Sequence, residues 1–393
     1  MADGPRPVSL AVVLGAVLLS LAAGYLLKLP CLTATWEDGR QYNRLCYSDV
    51  AALYAAADRD RGLTEDRVPY LSGANEYPVL SGLAMWVAAV PARSYVSFFN
   101  WSAVLLTGFA LATAWALHRM AGPGALFFAL APSLMLYAFI NWDLIAVAFA
   151  TLATLAFLRG RDGPAGALLG LGTASKLYPA LLLVPFALHR GLRWRRAALL
   201  VGAAAGTWLL VNLPFALAAP DRWSEFYRFS TARPPDFDSA WYLVGQHLEL
   251  QWDVGIVNSL STTLLVMGAT LLTVVAIRRR DEVPVWAMAF PLLIVFLLTG
   301  KVYSPQFGLW LLPWFALVLP DRPLFVAFQV TDVLVFITRF QYFARLEDVG
   351  PGLPFWAFEI AIILRAAVLV ACVVAWARRS TQAPSPVPAL EAA

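Results

Sequence analysis

The chain has 393 residues, of which 60% are hydrophobic and only 14% charged, with 15 Trp and a mean hydropathy of +0.67. That composition excludes an ordinary soluble globular protein and reads as an all-α polytopic membrane protein. The net charge of +4 comes almost wholly from arginine and marks membrane topology rather than a nucleic-acid surface, so no nucleic-acid partner is expected.

Apolar runs near the ~20 residues that a helix needs to cross a bilayer lie at about 8–29, 95–118, 196–216, 257–277 and 355–376. Shorter or punctuated runs lie at 76–92, 124–140, 143–158, 164–175, 177–189, 284–299, 306–319 and 323–340. The first run lacks a small-residue cleavage site and reads as an uncleaved helix. Just beyond it, Cys31 and Cys46 flank the start of a polar loop and could pair in an oxidising compartment. Cys46 opens the stretch that ends at Tyr54, with Asp49 at the start of a short amphipathic helix. Ser48 capping that helix and Asp49 complementing its dipole is the ordinary use of both residues. A carboxylate placed there for chemistry is the other use. Asp58-Arg59-Asp60, farther on, resembles a two-carboxylate metal pair but reads better as a solvated turn.

Arginine placement decides which runs cross, because short cytoplasmic loops collect Lys and Arg. The basic junctions are Arg6, His118-Arg119, Arg159-Gly160-Arg161, His189 to Arg196, Arg278-Arg279-Arg280, Arg322 and Arg378-Arg379. For Arg6 and Arg119 to share a side, the segment from Tyr77 to Pro91 lies along or dips into the outer leaflet. The run between Arg161 and Arg190 crosses twice, as two half-helices meeting at Lys176-Leu177-Tyr178-Pro179. A single helix there would bury Lys176 at a cost of about 2.5–3.5 kcal/mol. The result is about twelve transmembrane helices in one domain, 1–379, with both termini cytoplasmic. Outer loops span about 30–94, with its amphipathic helices, and 217–256, and a disordered cytoplasmic tail spans 380–393. In the second loop Trp223, Phe226, Tyr227, Phe229, Phe237, Trp241, Tyr242 and Trp252 suit either sugar stacking or an interfacial belt. Gly170-Leu171-Gly172, inside an apolar helix, reads as small-residue packing rather than a dinucleotide loop. Asp332 and Arg365 fall near the middles of the last two spans, where a pair of opposite charges is the economical arrangement.

Under this topology the turns Asn141-Trp142-Asp143, Ser175 to Pro179, Lys301-Val302-Tyr303-Ser304-Pro305-Gln306 and Arg339 to Tyr342 gather at the outer boundary. So do Asp49 and Glu76-Tyr77-Pro78. Lys and Tyr at helix ends commonly anchor in the headgroups. The chain has only three lysines, Lys28, Lys176 and Lys301, and two of them stand in Lys-x-Tyr turns with a proline close behind. That economy favours a binding role. Lys176, Lys301 and Arg339 would hold a pyrophosphate or phosphodiester at the bilayer surface. Three scattered histidines make zinc an unsuitable cofactor.

The order of one span, an outer loop with an early Asp, Glu-Tyr-Pro-Val-Leu, Asn-Trp-Asp, Ser-Lys-Leu-Tyr-Pro and Tyr-Ser-Pro-Gln resembles the polyprenyl-phosphate-sugar-dependent membrane glycosyltransferases of the C fold (GT-C). More narrowly, it is similar to glycosyltransferase family 87, the bacterial alpha-mannosyltransferases, over about residues 8–376. The resemblance implies inverting transfer, with mannose the expected sugar, from a lipid-phosphate donor to a glycolipid or glycan acceptor outside the plasma membrane. It matches the family's catalytic carboxylate with Asp49. It makes Lys176, Lys301 and Arg339 the donor-phosphate residues, and Glu76, Tyr77, Asn141, Asp143, Tyr178, Tyr303 and Gln306 the further substrate-binding residues. One plain carboxylate in the loop favours a cofactor-free, metal-independent reaction, with a divalent metal left open. The rival class is a secondary transporter with Asp143 and Lys176 as an ion or proton relay, which expects paired repeats and midplane sites.

Overall fold

The structure, a computed structural model, describes residues 8–32, 38–52, 68–73, 75–191 and 193–378. Arg6, Leu53, Tyr54, Asp58 to Asp60, Arg379 and the 380–393 tail lie outside the described residues. Among the described residues, the regular elements are helices, with one isolated bridge between Pro69 and Gly73. In order they are α1 (Leu10–Lys28), α2 (Arg40–Asn43), α3 (Asp49–Ala52), α4 (Val79–Ala89), α5 (Tyr95–Ala121), α6 (Leu126–Ala129), α7 (Pro132–Tyr137), α8 (Asp143–Leu158), α9 (Asp162–Ser175) and α10 (Leu183–Arg190). They continue with α11 (Trp194–Ala218), α12 (Pro220–Trp223), α13 (Glu225–Ala232), α14 (Ala240–His247), α15 (Val254–Arg278), α16 (Ala289–Thr299), α17 (Leu312–Leu317), α18 (Arg322–Leu346) and α19 (Phe355–Arg378).

Four of the long helices, α1, α5, α15 and α18, start where a short polar side chain satisfies the free amides of a first turn. Ser9 accepts from the Val12 amide, Asp253 from Ile256 and Asp321 from Leu324, while Ser94 and Ser97 form a reciprocal capping box. Among the described residues, six helical stretches are long and apolar enough to span a bilayer: Leu10–Cys31, Tyr95–Ala129, Trp194–Ala218, Val254–Arg278, Arg322–Leu346 and Phe355–Arg378. The chain is a multi-pass membrane protein. The other passages expected from the arginine pattern fall on shorter pieces: α6 with α7, α8, α9, α10, α16 and α17.

The turn at Lys176 behaves as the arginines require. Asp162, at the head of α9, lies 2.7 Å from Arg190 at the end of α10 and 2.5 Å from Arg196 at the head of α11. The run therefore returns to the end it left, with Lys176 at its tip. Gly166 and Gly170 allow this hairpin to seat on α11, because a β-carbon at either would run into the Leu200 or Ala204 carbonyl. Helix α4 likewise stays at one end. Ser81 near its start donates to the Ser175 carbonyl at 2.7 Å, and Tyr95 just past it donates to the Cys31 carbonyl at 3.0 Å.

Cys31 and Cys46 are bonded, closing a loop of 15 positions with Cα atoms 5.7 Å apart. Closing a loop of that length removes about 3 kcal/mol of unfolded-chain entropy in the simplest account. Both cysteines should therefore resist alkylation until a reductant is added, and Cys31→Ala should lower the thermal midpoint. Two freely alkylated thiols in the folded protein would contradict the bond.

Asp332 and Arg365 meet at 3.4 Å, as their matched depths required. They do not meet alone. Asp238, from the loop expected to lie wholly outside, reaches in to 3.7 Å from Arg365 and 2.9 Å from Arg339. Ser133 donates to Asp332 at 2.9 Å, and the Arg365 guanidinium lies 3.7 Å from the centre of the Tyr303 ring. A cavity of about 250 Å³ opens beside Asp238, Tyr303 and Arg365, walled by Leu297 and Ile362. It belongs to this charge cluster, not to Asp49.

Candidate active site

Asp49 sits where three parts of the chain converge. Its turn docks on the end of α7: Ser48 donates to the Phe139 carbonyl at 2.6 Å and the Val50 amide to the Ile140 carbonyl at 3.2 Å. The Ser48 hydroxyl, whose sequence position suggested a helix cap, gives its proton to a carbonyl 91 positions away. The docking carries Asp49 to the Asn141-Trp142-Asp143 turn. From the segment before α4, Tyr77 donates to one Asp49 oxygen at 3.3 Å, and Tyr47 donates to the other at 2.6 Å. Tyr77 is itself held by the Tyr70 hydroxyl on its carbonyl and by the Trp142 ring edge.

The carboxylate is half-buried. Burial raises its pKa above the usual carboxylate range, against the opposing pull of the two tyrosine hydrogen bonds and of Lys176. The Asp49 charge and burial together hold Tyr47 protonated, so it remains a donor. Asp49 is then a carboxylate made more basic by burial and fixed in direction by two phenols.

Lys176 is the cation that acts most strongly on Asp49. It lies 2.8 Å from Asp143 and within 5.1–5.9 Å of the ring centres of Phe307, Tyr77 and Trp310. Asp143 is 2% exposed and also accepts from the Trp310 indole at 3.2 Å. Asn141, 2% exposed, accepts from the Asp143 amide at 3.0 Å. Tyr178, 2% exposed, stacks on Trp310 at 4.3 Å. These three, expected to touch substrate, are buried in this structure; Asp143 pairs with Lys176 directly, Asn141 binds the Asp143 amide and Tyr178 packs on the Trp310 ring beside Lys176.

The other expected site residues divide. Arg339 is paired with Asp236 at 3.2 Å and Asp238 at 2.9 Å, and it acts electrostatically on Tyr47. The Lys301 ammonium donates to the Thr231 carbonyl at 2.9 Å, and its own carbonyl accepts from the Asp236 amide at 2.8 Å. So Lys301 and Arg339 gather around Asp236, whereas Lys176 gathers with Asp49; the three cations do not form one cluster. Tyr303 is 3% exposed beneath Arg365. Glu76 and Gln306 are half-buried, Glu76 next to Tyr77 and Gln306 on the Pro305–Trp310 turn. Asp236 and Asp238 escaped the reading of the sequence, which weighed their loop for its aromatics. Among the described residues no group of three or more His, Cys, Asp or Glu is arranged to hold a metal ion.

The model of glycosyltransferase family 87 matches residues 75–305, more than half of the chain. The matched segment contains Glu76, Tyr77, Asn141, Asp143, Lys176, Tyr178, Lys301 and Tyr303; Asp49, Gln306 and Arg339 lie outside it. No curated protein matches the chain. Among solved structures it is similar to ArnT from Cupriavidus metallidurans, crystallised with undecaprenyl phosphate, at 15% identity over 92% of this chain and 77% of that one. The TM-score of 0.43 makes this likeness too distant to carry an argument.

Proposed function

Since the chain belongs to glycosyltransferase family 87, we propose that it transfers a sugar, with mannose the expected one, from a polyprenyl-phosphate-sugar donor to a hydroxyl of a glycolipid or glycan. The reaction is inverting and takes place at the extracytoplasmic face of the plasma membrane. The observation that carries this reading is the Asp49 carboxylate, held by Tyr47 and Tyr77 beside Lys176 at the end of the bundle where the first loop packs. Asp49 accepts the proton of the acceptor hydroxyl as that oxygen bonds to the anomeric carbon. The bond from that carbon to the phosphate oxygen breaks on the opposite face, and the lipid phosphate leaves with the electron pair. Lys176 meets the departing phosphate and offsets the charge that develops on it, with Lys301 and Arg339 as the further cations at this end. Binding of the donor in the bilayer explains why these groups sit at helix ends.

Nothing in this scheme needs a metal, and the proposal is a cofactor-free reaction. The test is incubation of the purified protein with radiolabelled polyprenyl-phosphate mannose and a cell-envelope lipid extract, in buffer containing a chelator. Labelled lipid or glycan product is the expected result; its absence with a manganese- or magnesium-supplemented control active would restore a metal, and its absence in both would sink the reading.

Lys176→Met keeps most of the apolar stem and removes the charge. A charge-assisted hydrogen bond is worth about 1.5–3 kcal/mol, so donor affinity should fall about tenfold to a hundredfold while acceptor affinity holds. The same change at Lys301 or Arg339 should weaken the donor less, since their charges are engaged with Thr231 and with two aspartates. Unchanged donor affinity in all three variants would leave them as interfacial anchors.

A further inference from the structure

Tyr77, just ahead of α4, is engaged at both ends of its side chain. Its hydroxyl donates to Asp49 at 3.3 Å, and its ring centre lies 5.6 Å from the Lys176 ammonium. Two more rings surround that ammonium, Phe307 at 5.1 Å and Trp310 at 5.9 Å, but both belong to the 305–310 turn and stack on each other at 4.0 Å. Of the three, it is Tyr77 that also reaches Asp49. Its own place is fixed from several sides. Tyr70 donates to the Tyr77 carbonyl at 2.7 Å, Asn75 accepts from the Tyr77 amide at 2.9 Å, and the Trp142 ring meets the Tyr77 ring nearly at a right angle, 5.7 Å between centres. With the backbone pinned, a phenol has only two torsions to settle, so hydroxyl and ring are placed together. Burial and the Asp49 charge keep Tyr77 protonated, and the hydroxyl remains a donor. The other charged groups that face this pair are Lys28, which donates to the Tyr47 carbonyl at 2.7 Å, Asp143 on Lys176, Arg339 acting on Tyr47, and Glu76 beside Tyr77.

We propose that Tyr77 is a positioning residue that sets the spacing between the Asp49 base and the Lys176 ammonium, favouring the ionised carboxylate through its hydroxyl and seating the ammonium through its ring. This rests on the reading of Asp49 as the base. A hydroxyl that donates to a carboxylate stabilises the charged form, and the face of an aromatic ring attracts an ammonium. In an inverting transfer the attacking and leaving oxygens stand on opposite faces of one carbon. A base and a cation held by one rigid phenol meet those two oxygens at a fixed separation, so activation of the acceptor and neutralisation of the departing phosphate share a single support.

The two ends of the side chain are separable by mutation. Tyr77→Phe keeps the ring and removes the hydroxyl, whereas Tyr77→Leu removes both. Transfer rate against pH reports the base, and equilibrium binding of radiolabelled polyprenyl-phosphate mannose reports the Lys176 side. Loss of a hydrogen bond to the charged form raises a carboxyl pKa, so Tyr77→Phe should move the midpoint of the pH–rate profile up by about one pH unit, a tenfold change in the protonated fraction. Its donor affinity should stay at the wild-type level. Tyr77→Leu should show the same shift and, in addition, a donor affinity about threefold to tenfold weaker, the size of one lost contact between a cation and a ring. An unshifted midpoint in Tyr77→Phe, wild-type donor affinity in Tyr77→Leu, or an equal loss of donor affinity in both variants overturns the proposal. Should Tyr77→Leu fail to fold, Tyr77→Met is the second ring-free variant and is read the same way. Transfer by Asp49→Asn, assayed alongside, separates the two readings: persistent transfer removes Asp49 as the base and Tyr77 with it, whereas lost transfer with an unshifted midpoint in Tyr77→Phe removes Tyr77 alone. A wild type without transfer sinks the enzymatic reading and this proposal together.

Discussion

Asp49→Asn should lower sugar transfer by at least about 100-fold, the typical loss when a general base is removed, while leaving expression and donor binding intact. Asparagine fills the same space, its amide oxygen accepting from one tyrosine while its NH2 donates to the hydroxyl of the other, so the turn on Phe139 and Ile140 has no reason to move. What it cannot do is take the proton. In the wild type, burial raises the Asp49 pKa, so the rate should climb with pH through a midpoint above the usual carboxylate range and level off once the group is ionised. The mutant's residual rate should lack that step. Near-normal turnover in Asp49→Asn, or a rate that falls as pH rises through this range, would take Asp49 out of the mechanism.

The second large effect is on stability. Removing one partner of a buried ion pair costs about 3–5 kcal/mol, because a lone charge is left in a low-dielectric site. Asp332 is 0% exposed and Arg365 1%, so Asp332→Asn and Arg365→Gln should each lower the thermal midpoint sharply. The double variant should lose less than the sum of the two. Asp238 complicates the outcome in a defined direction: it remains 3.7 Å from Arg365 when Asp332 is neutralised, so Asp332→Asn should be the milder single change. Arg365→Gln leaves two carboxylates, one of which still has Arg339. Strictly additive losses would mean that Asp332 and Arg365 do not act as a pair.

The parts of this protein that were legible in its sequence are those governed by one-dimensional rules. Apolar length located the long helices, arginine bias folded the 162–190 run into a hairpin with Lys176 at its tip, and matched depth paired Asp332 with Arg365. The Cys31–Cys46 bond followed from two cysteines at the ends of one loop. What stayed hidden depends on where aperiodic segments fold back. Ser48 could be read from its position only as a helix cap, because the partner to which it donates, the Phe139 carbonyl, is set by tertiary docking rather than spacing. Asp236 and Asp238 sit in a loop whose aromatics drew attention, yet these two of its carboxylates are what reach Arg339 and Arg365. Their neutralising role also explains why Arg339 does not stand with Lys176. Tyr178 and Tyr303 are buried, and side-chain burial is not written in a four-residue turn.

The seat that Gly166 and Gly170 make on α11 has a consequence for biogenesis. Helix α9 has only 14 residues, with four glycines and Leu168, Leu169 and Leu171 as its large apolar side chains, so the translocon gains little from partitioning it into lipid by itself. One face of it packs on α8, already made, but the glycine face seats on Leu200 and Ala204, in a helix the ribosome has not yet made when α9 emerges. The order of synthesis is therefore not the order of assembly. The strand of chain that carries Lys176 to the site has to wait at the membrane until residues 194–218 arrive, and a pause or truncation between the two would leave a glycine-rich stub exposed to quality control rather than a partly working enzyme.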